Sequence, residues 1–332
     1  MKKITLLNSI TDVPGIKVGH AHNLEGMTGC TVILCEKGAV AGVSQRGGAP
    51  GTRETDLLRP SRLVKKIHAI LLAGGSAFGL DAAAGVMQFL EEKSFGFKTA
   101  DAIVPIVPSA ILYDLSVGKA EIRPDKQMGY DACLHAQTGV TDQGNVGAGT
   151  GASVGKLFGI KRAMKSGIGM SSMQIDNDTF VGAIVAVNAF GDIVDYSNRK
   201  IIAGARKLLK GSSSSVEPVF ADTLDTMKSQ IGKAILNYTS GKNTIIGVIA
   251  TNASLSKEQA LKLADAASNG IALCVRPAFT MFDGDTIFSL STGSKKVDIN
   301  ILCGFAPYIF ADAIINGVKF SKSLGGLPSF IN

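Results

Sequence analysis

Three short segments carry residues whose types and spacing suit one kind of chemistry. In the first, a polar stretch ending Gly241-Lys242-Asn243 meets Thr244, which opens the apolar run Ile245-Ile246-Gly247-Val248-Ile249-Ala250. If the Asn243–Thr244 peptide is cut, Thr244 gains a free α-amine beside its own hydroxyl. Base and nucleophile then sit in one residue, and an α-amine with a usual pKa of about 7.7–8 takes up a proton near neutrality. The plain alternative is a β-branched residue starting a buried strand. In the second segment, Phe282-Asp283-Gly284-Asp285-Thr286, two carboxylates stand two apart around a glycine. Carboxylates that close raise one another's pKa unless a cation lies between them, and the α-ammonium of a cut chain is such a cation. A calcium loop or an acidic surface turn is the competing reading, and the wider DxDxDG pattern of a calcium loop is missing. In the third, Val187-Asn188-Ala189 ends an apolar run with a lone amide, suited to hold an oxyanion or to cap a strand end.

Other motifs fit less well. Gly147-Ala148-Gly149-Thr150-Gly151-Ala152 has the GxGxxA spacing of a dinucleotide loop, but no clear strand precedes it and no acid follows about 20 residues on. Residues 151–156 fall short of a phosphate-binding loop, with three residues between the glycines and Leu157 where Ser or Thr would hold magnesium. Gly74-Gly75-Ser76-Ala77-Phe78 resembles a nucleophile elbow except that Phe78 replaces the closing glycine. His20 and His22 would share one strand face, yet no third ligand lies near in sequence. We therefore expect no metal and no organic cofactor.

The elements that must position these residues read as mixed α and β. Strands are expected over 31–35 and 39–43 with a turn at Glu36-Lys37-Gly38, then over 68–72, 103–107, 167–174, 180–188, 244–250 and 286–291. Helices are expected over 80–92, 199–209, 256–273 and 297–315, the third started by a capping box from Ser256 and Gln259. Gly211-Ser212-Ser213-Ser214-Ser215 is the low-complexity run of the chain, and a linker of about 210–243 holding one helix follows from it.

With 332 residues, 45% hydrophobic and 18% charged, the chain can bury a full core, which excludes disordered, collagen-like and coiled-coil classes. Five cysteines without a CxxC pair argue against a disulfide framework and a structural zinc. The net charge of +7 is scattered, Trp is absent and Tyr numbers 5, so nucleic acid is not an expected partner. The start, Met1-Lys2-Lys3-Ile4-Thr5-Leu6-Leu7-Asn8, has too short an apolar run for a signal peptide. No run of 18 apolar residues suggests a membrane span, and a cytoplasmic location is expected. Glycine, 39 residues, clusters in short runs with Ala, Ser and Thr, as in sites built from main chain.

Over nearly its whole length the sequence resembles the L-aminopeptidase/D-esterase family of self-cleaving hydrolases, which includes β-aminopeptidases and nylon-oligomer hydrolases. The resemblance rests on Ile10-Thr11-Asp12-Val13-Pro14-Gly15-Ile16-Lys17-Val18-Gly19-His20, Arg46-Gly47-Gly48-Ala49-Pro50-Gly51-Thr52-Arg53-Glu54, Gly74-Gly75-Ser76-Ala77-Phe78-Gly79-Leu80 and residues 147–156. It implies a four-layer αββα sandwich of the N-terminal-nucleophile-hydrolase type, a single domain over 1–332. It further implies cleavage between Asn243 and Thr244 into an α chain 1–243 and a β chain 244–332, with assembly as a homotetramer of αβ units. Peptidase members have Ser at the nucleophile and Ser and Glu at the two positions of Asp283 and Asp285, so the Asn-Thr junction with paired Asp looks like the nylon-hydrolase branch. That branch implies Tyr113, Lys156 and Asn188 beside the nucleophile. The implied substrates are short peptides, aminoacyl amides or 6-aminohexanoate oligomers. The rival readings are acyl transfer of the ornithine acetyltransferase kind and an uncleaved, non-catalytic scaffold of the same fold.

Overall fold

The computed structural model describes residues 8–207, 219–236 and 243–330. Nine strands form the main sheet system among these residues: β1 Lys17–Asn23, β2 Thr28–Gln45, β3 Thr52–Arg53, β4 Ile67–Ala73, β5 Ser109–Ile111, β6 Ile168–Gln174, β7 Phe180–Asn188, β8 Thr244–Ala253 and β9 Thr286–Lys295. Their order is β6-β7-β8-β9-β2-β4-β5-β3, with β1 on the other side of β2. Strand β2 is the corner piece. Its first part pairs with β1 and β4 and its last part with β9, so the strands fall into two sheets that share β2.

Side-chain alternation places three cores around those sheets. Ile70, Leu72, Ile184, Ala186, Ile246 and Val248 fill the space between the two sheets. The opposite faces of the same strands carry Leu71 and Ala73, packed on helices α1 (Ala82–Glu92) and α2 (Lys126–Leu134), and Val185, Val187, Ile245 and Ile249, packed on α3 (Lys257–Cys274) and α4 (Ile299–Lys319). The result is the expected α/β/β/α stack. Because these strands are buried on both faces, they read as continuous apolar runs instead of alternating ones. Helix α4 is long and apolar enough to cross a membrane by length and composition, but Leu302, Ala306, Ile309 and Phe310 are buried in the core beside α3. Its apolar character is that of a core helix. Ser256 and Gln259 do form the capping box of α3: Ser256 N–H donates to Gln259 Oε1 at 3.0 Å and Gln259 N–H to Ser256 Oγ at 3.3 Å.

Four expectations are corrected. The hairpin expected around Glu36-Lys37-Gly38 is one strand, β2; the register jumps between Leu34 and Ala39, and Gly38 takes a φ of +79°, which absorbs the extra residues. The chain stays extended there because its two halves serve different partners. The strand expected over 103–107 is confined to Ile103–Val104, and pairing resumes at Ser109–Ile111 beside β4, since Pro105 and Pro108 offer no N–H to a ladder. Within the expected helix 199–209, Ile201–Ala203 forms a short strand against Asp192–Val194, as suits two adjacent isoleucines; residues 208–209 lie outside the described residues. Of the linker over about 210–243, residues 210–218 and 237–242 also lie outside them, and where one helix was expected there are two short ones, Thr223–Lys228 and Gln230–Leu236.

Candidate active site

Strand pairing gathers the three polar segments. Asn188, the last residue of β7, lies directly opposite Thr244, the first of β8. Strand β9 runs parallel to β8, so the turn just before it, carrying Asp283 and Asp285, arrives at the same end, and Asn243 bridges to Asp283. Thus one end of three neighbouring strands holds residues separated by 56 and 39 positions in the chain (244 minus 188, 283 minus 244). All are buried: Asn188 is 0% exposed, Thr244 5%, Asp283 3% and Asp285 3%.

The loop after β2 closes over that end. Ala49 N–H donates to Asp283 O at 2.8 Å and Arg46 N–H to Asp285 O at 3.1 Å. Gly47 is required by this approach, because a Cβ there would stand 2.2 Å from Asp283 O. The Arg46-Gly47-Gly48-Ala49 motif is therefore main chain packed on main chain.

Thr244 Oγ donates a hydrogen bond to the carbonyl oxygen of Asn243, the carbonyl of the junction itself. That oxygen also accepts the Gly284 N–H at 2.9 Å, so a backbone donor already lies where negative charge would develop if the Asn243 carbonyl were attacked. The side-chain oxygen of Asn243 is buried and has no partner among the described residues. Asp285 accepts from the Ile245 N–H at 2.7 Å, and Asp283 from the Thr280 N–H at 2.8 Å and hydroxyl at 2.6 Å.

Asn188 is held from both ends of its amide. Its Oδ1 accepts from Lys156 Nζ at 2.7 Å and from Ser153 N–H at 3.2 Å, and its Nδ2 donates to the Tyr113 carbonyl at 3.0 Å. Lys156 Nζ also donates to Asn188 O at 3.0 Å. Two donors on the oxygen fix which way the amide points. Lys156 and Asn188 thus touch through their side chains, whereas Tyr113 reaches Asn188 through its carbonyl and is half-buried.

Charge in this space is held down by burial. Loss of water lowers the Lys156 ammonium to about 7, with Asp283 and Asp114 opposing the shift. Burial, and then the neighbouring Asp283, raises Asp285 to about 7. Burial likewise raises Asp283, against its hydrogen bonds from Thr280 and the charge of Lys156. The site thus holds groups able to exchange a proton near neutrality.

Sequence reading missed three contributors: the Gly284 N–H, whose role depends on a contact between strands; Ser153, which acts through its backbone; and Asp114. The Asp114 carboxylate accepts from the Gly75 N–H at 2.7 Å and the Thr28 hydroxyl at 2.8 Å, and burial lifts it to about 6. A lone Asp after Tyr113 gave no spacing signal. Two of the other motifs have local partners. His20 Nδ1 meets the Thr31 hydroxyl at 2.9 Å, and no group of three metal-binding side chains occurs among the described residues. Ser76 has a φ of +55° in the turn between β4 and α1, and its N–H donates to Leu112 O.

Two solved structures share this architecture: the L-aminopeptidase D-Ala-esterase/amidase of Ochrobactrum anthropi, described as a variant of the Ntn-hydrolase fold (TM-score 0.72, 18% identity, 99% of this chain and 90% of that one), and a Burkholderia β-aminopeptidase (TM-score 0.70, 21% identity, 100% and 93%). The fold class is that of N-terminal-nucleophile hydrolases. Residues 8–328 match peptidase family S58, and the chain belongs to that family. It is 38% identical to an uncharacterized aminopeptidase of Mycobacterium leprae over 98% of this chain and 93% of the relative, and 31% identical to a 6-aminohexanoate-oligomer endohydrolase of Kocuria over 93% and 85%. The protein is thus placed among amide-bond hydrolases of the aminopeptidase kind.

Proposed function

We propose that the chain cuts itself between Asn243 and Thr244 and then hydrolyses amide bonds with Thr244 as an N-terminal nucleophile. The observation that carries this reading is the Thr244 hydroxyl lying against the Asn243 carbonyl oxygen while Gly284 N–H donates to the same oxygen. In self-cleavage Thr244 Oγ bonds to the Asn243 carbonyl carbon, the C–N bond to Thr244 breaks, and the hydroxyl proton ends on the departing amine. Water then opens the ester, leaving a carboxylate on Asn243 and a free amine on Thr244. The α chain is 1–243 and the β chain 244–332; β8 and β9 lie between β7 and β2, so the two chains stay together as one folded unit.

In turnover the same hydroxyl attacks a substrate amide, its proton passes through the α-amine to the leaving group, and water releases the acyl group. The Gly284 N–H and the Asn188 amide stabilise the oxyanion. Lys156 holds Asn188, and the Asp283–Asp285 pair orients the new ammonium. The substrate class is short amides: aminoacyl amides, short peptides or 6-aminohexanoate oligomers. The Kocuria relative's name and the paired Asp favour the last. The chemistry calls for no cofactor, and the working unit is a cytoplasmic homotetramer of αβ pairs. Thr244→Ala tests the reading: one uncut chain of 34.5 kDa that hydrolyses neither an aminoacyl p-nitroanilide nor a 6-aminohexanoate oligomer is expected. Hydrolysis by that variant at the wild-type rate would remove Thr244 as nucleophile.

A further inference from the structure

Lys165 is a titratable residue with no part in the chemistry above, and it is fully buried. Its Nζ donates to Gly149 O at 3.0 Å, Ala152 O at 2.9 Å and Ser166 O. Three ammonium hydrogens therefore meet three carbonyls. A side chain needed only to fill space would be apolar here, since burying an ammonium without a carboxylate in contact is costly.

Two of the carbonyls it collects, those of Gly149 and Ala152, belong to the Gly-rich turn that leads to Ser153. At Gly151 a Cβ would stand 2.1 Å from Met27 O, so this position carries no side chain to anchor it. The Thr150 and Thr31 hydroxyls hold the start of the turn, at Gly147 O and Ala148 N–H, and Lys165 holds it at the Gly149 and Ala152 carbonyls. Lys165 also faces Ser153 in a short antiparallel ladder, Ser153–Val154 against Met164–Lys165. Ser153 N–H donates to Asn188 Oδ1, while the residues after Lys165 hold the chain just before Asn188: Ser166 Oγ donates to Val187 O, and Val187 N–H donates to Gly167 O at 3.1 Å.

We propose that Lys165 is a positioning residue, acting through the Gly149–Ser153 turn to aim the Asn188 amide at the oxyanion. This rests on the nucleophile reading above. The test is a double-mutant cycle on the cut enzyme with an aminoacyl p-nitroanilide, using Lys165→Met with and without Asn188→Ala. Lys165→Met is expected to lower kcat about 10-fold or more with KM within about 2-fold, and to cost less than about 2-fold once Asn188 is already Ala. Equal fold-losses in both backgrounds, an unchanged kcat, or a loss confined to KM would overturn it. Lys165→Gln, which keeps two donors, is expected to lose less than Met in the same cycle. If neither variant yields a folded chain, Lys165 is structural and the proposal falls. A Lys165 result of that kind leaves the Thr244→Ala result standing, so the two readings fail separately.

Discussion

Two buried carboxylate sites in this chain are built to opposite ends. Asp192 is 1% exposed and accepts from the Ala205 N–H at 3.0 Å, the Thr223 N–H at 2.6 Å and the Thr223 hydroxyl at 2.9 Å. Burial raises its pKa and these donors pull it back, so it serves as a clip between Ala205, just after the Ile201–Ala203 strand, and the helix starting at Thr223. At the other site, Asp283 and Asp285 are also buried, and burial together with the charge of Asp283 raises Asp285 to about 7. A carboxylate surrounded by donors holds the fold together. A pair that repels, beside a lysine brought down to about 7 and an unpartnered Asn243 side-chain oxygen, stores electrostatic cost at one spot. Such concentrated cost marks this end of the strands as the candidate site of the proposed chemistry.

The comparison can be broken in order of effect. Asn188→Ala should lower kcat about 10²–10³-fold, the loss typical of one oxyanion donor, and should also lower stability by about 1–3 kcal/mol because it removes the amide partner of the Ser153 N–H, the Lys156 ammonium and the Tyr113 carbonyl, as measured by steady-state kinetics and melting. Asp285→Asn should cost a smaller factor in kcat of the cut enzyme, and in the uncut Thr244→Ala chain it should raise the melting temperature at pH 8 and not at pH 4. The sign follows from linkage: the folded pKa lies above the unfolded one, so this carboxyl's contribution is fully present below about 4, falls as pH rises, and is lost above the folded value of about 7. Asn at this position removes the loss. Asp192→Ala should behave the other way, leaving kcat of the cut enzyme unchanged while lowering stability by about 1–3 kcal/mol through its orphaned donors. A kcat loss at Asp192 larger than at Asp285 would erase the distinction between the sites.

Much of this was legible in the sequence. Phe180–Asn188 was bounded as a strand, and α3 was foreseen with its Ser256–Gln259 box, because long apolar periods and caps are local signals. The Asn243–Thr244 segment, the Asp pair and Asn188 were each visible alone, though not that strand pairing joins them. What stayed hidden depends on distant contacts. The Glu36-Lys37-Gly38 bulge looked like a turn because a strand that changes partners midway leaves no local mark. Lys165 and Asp114 are single charged residues whose meaning comes from the carbonyls and N–H groups that fold around them.

The most direct measurement is an intact mass spectrum of the freshly purified wild-type protein. Proportional arithmetic on 34.5 kDa predicts species of about 25 and 9 kDa, the smaller beginning at Thr244, as a threonine nucleophile freed by self-cleavage requires. A single 34.5 kDa species that hydrolyses amides at full rate would contradict the account.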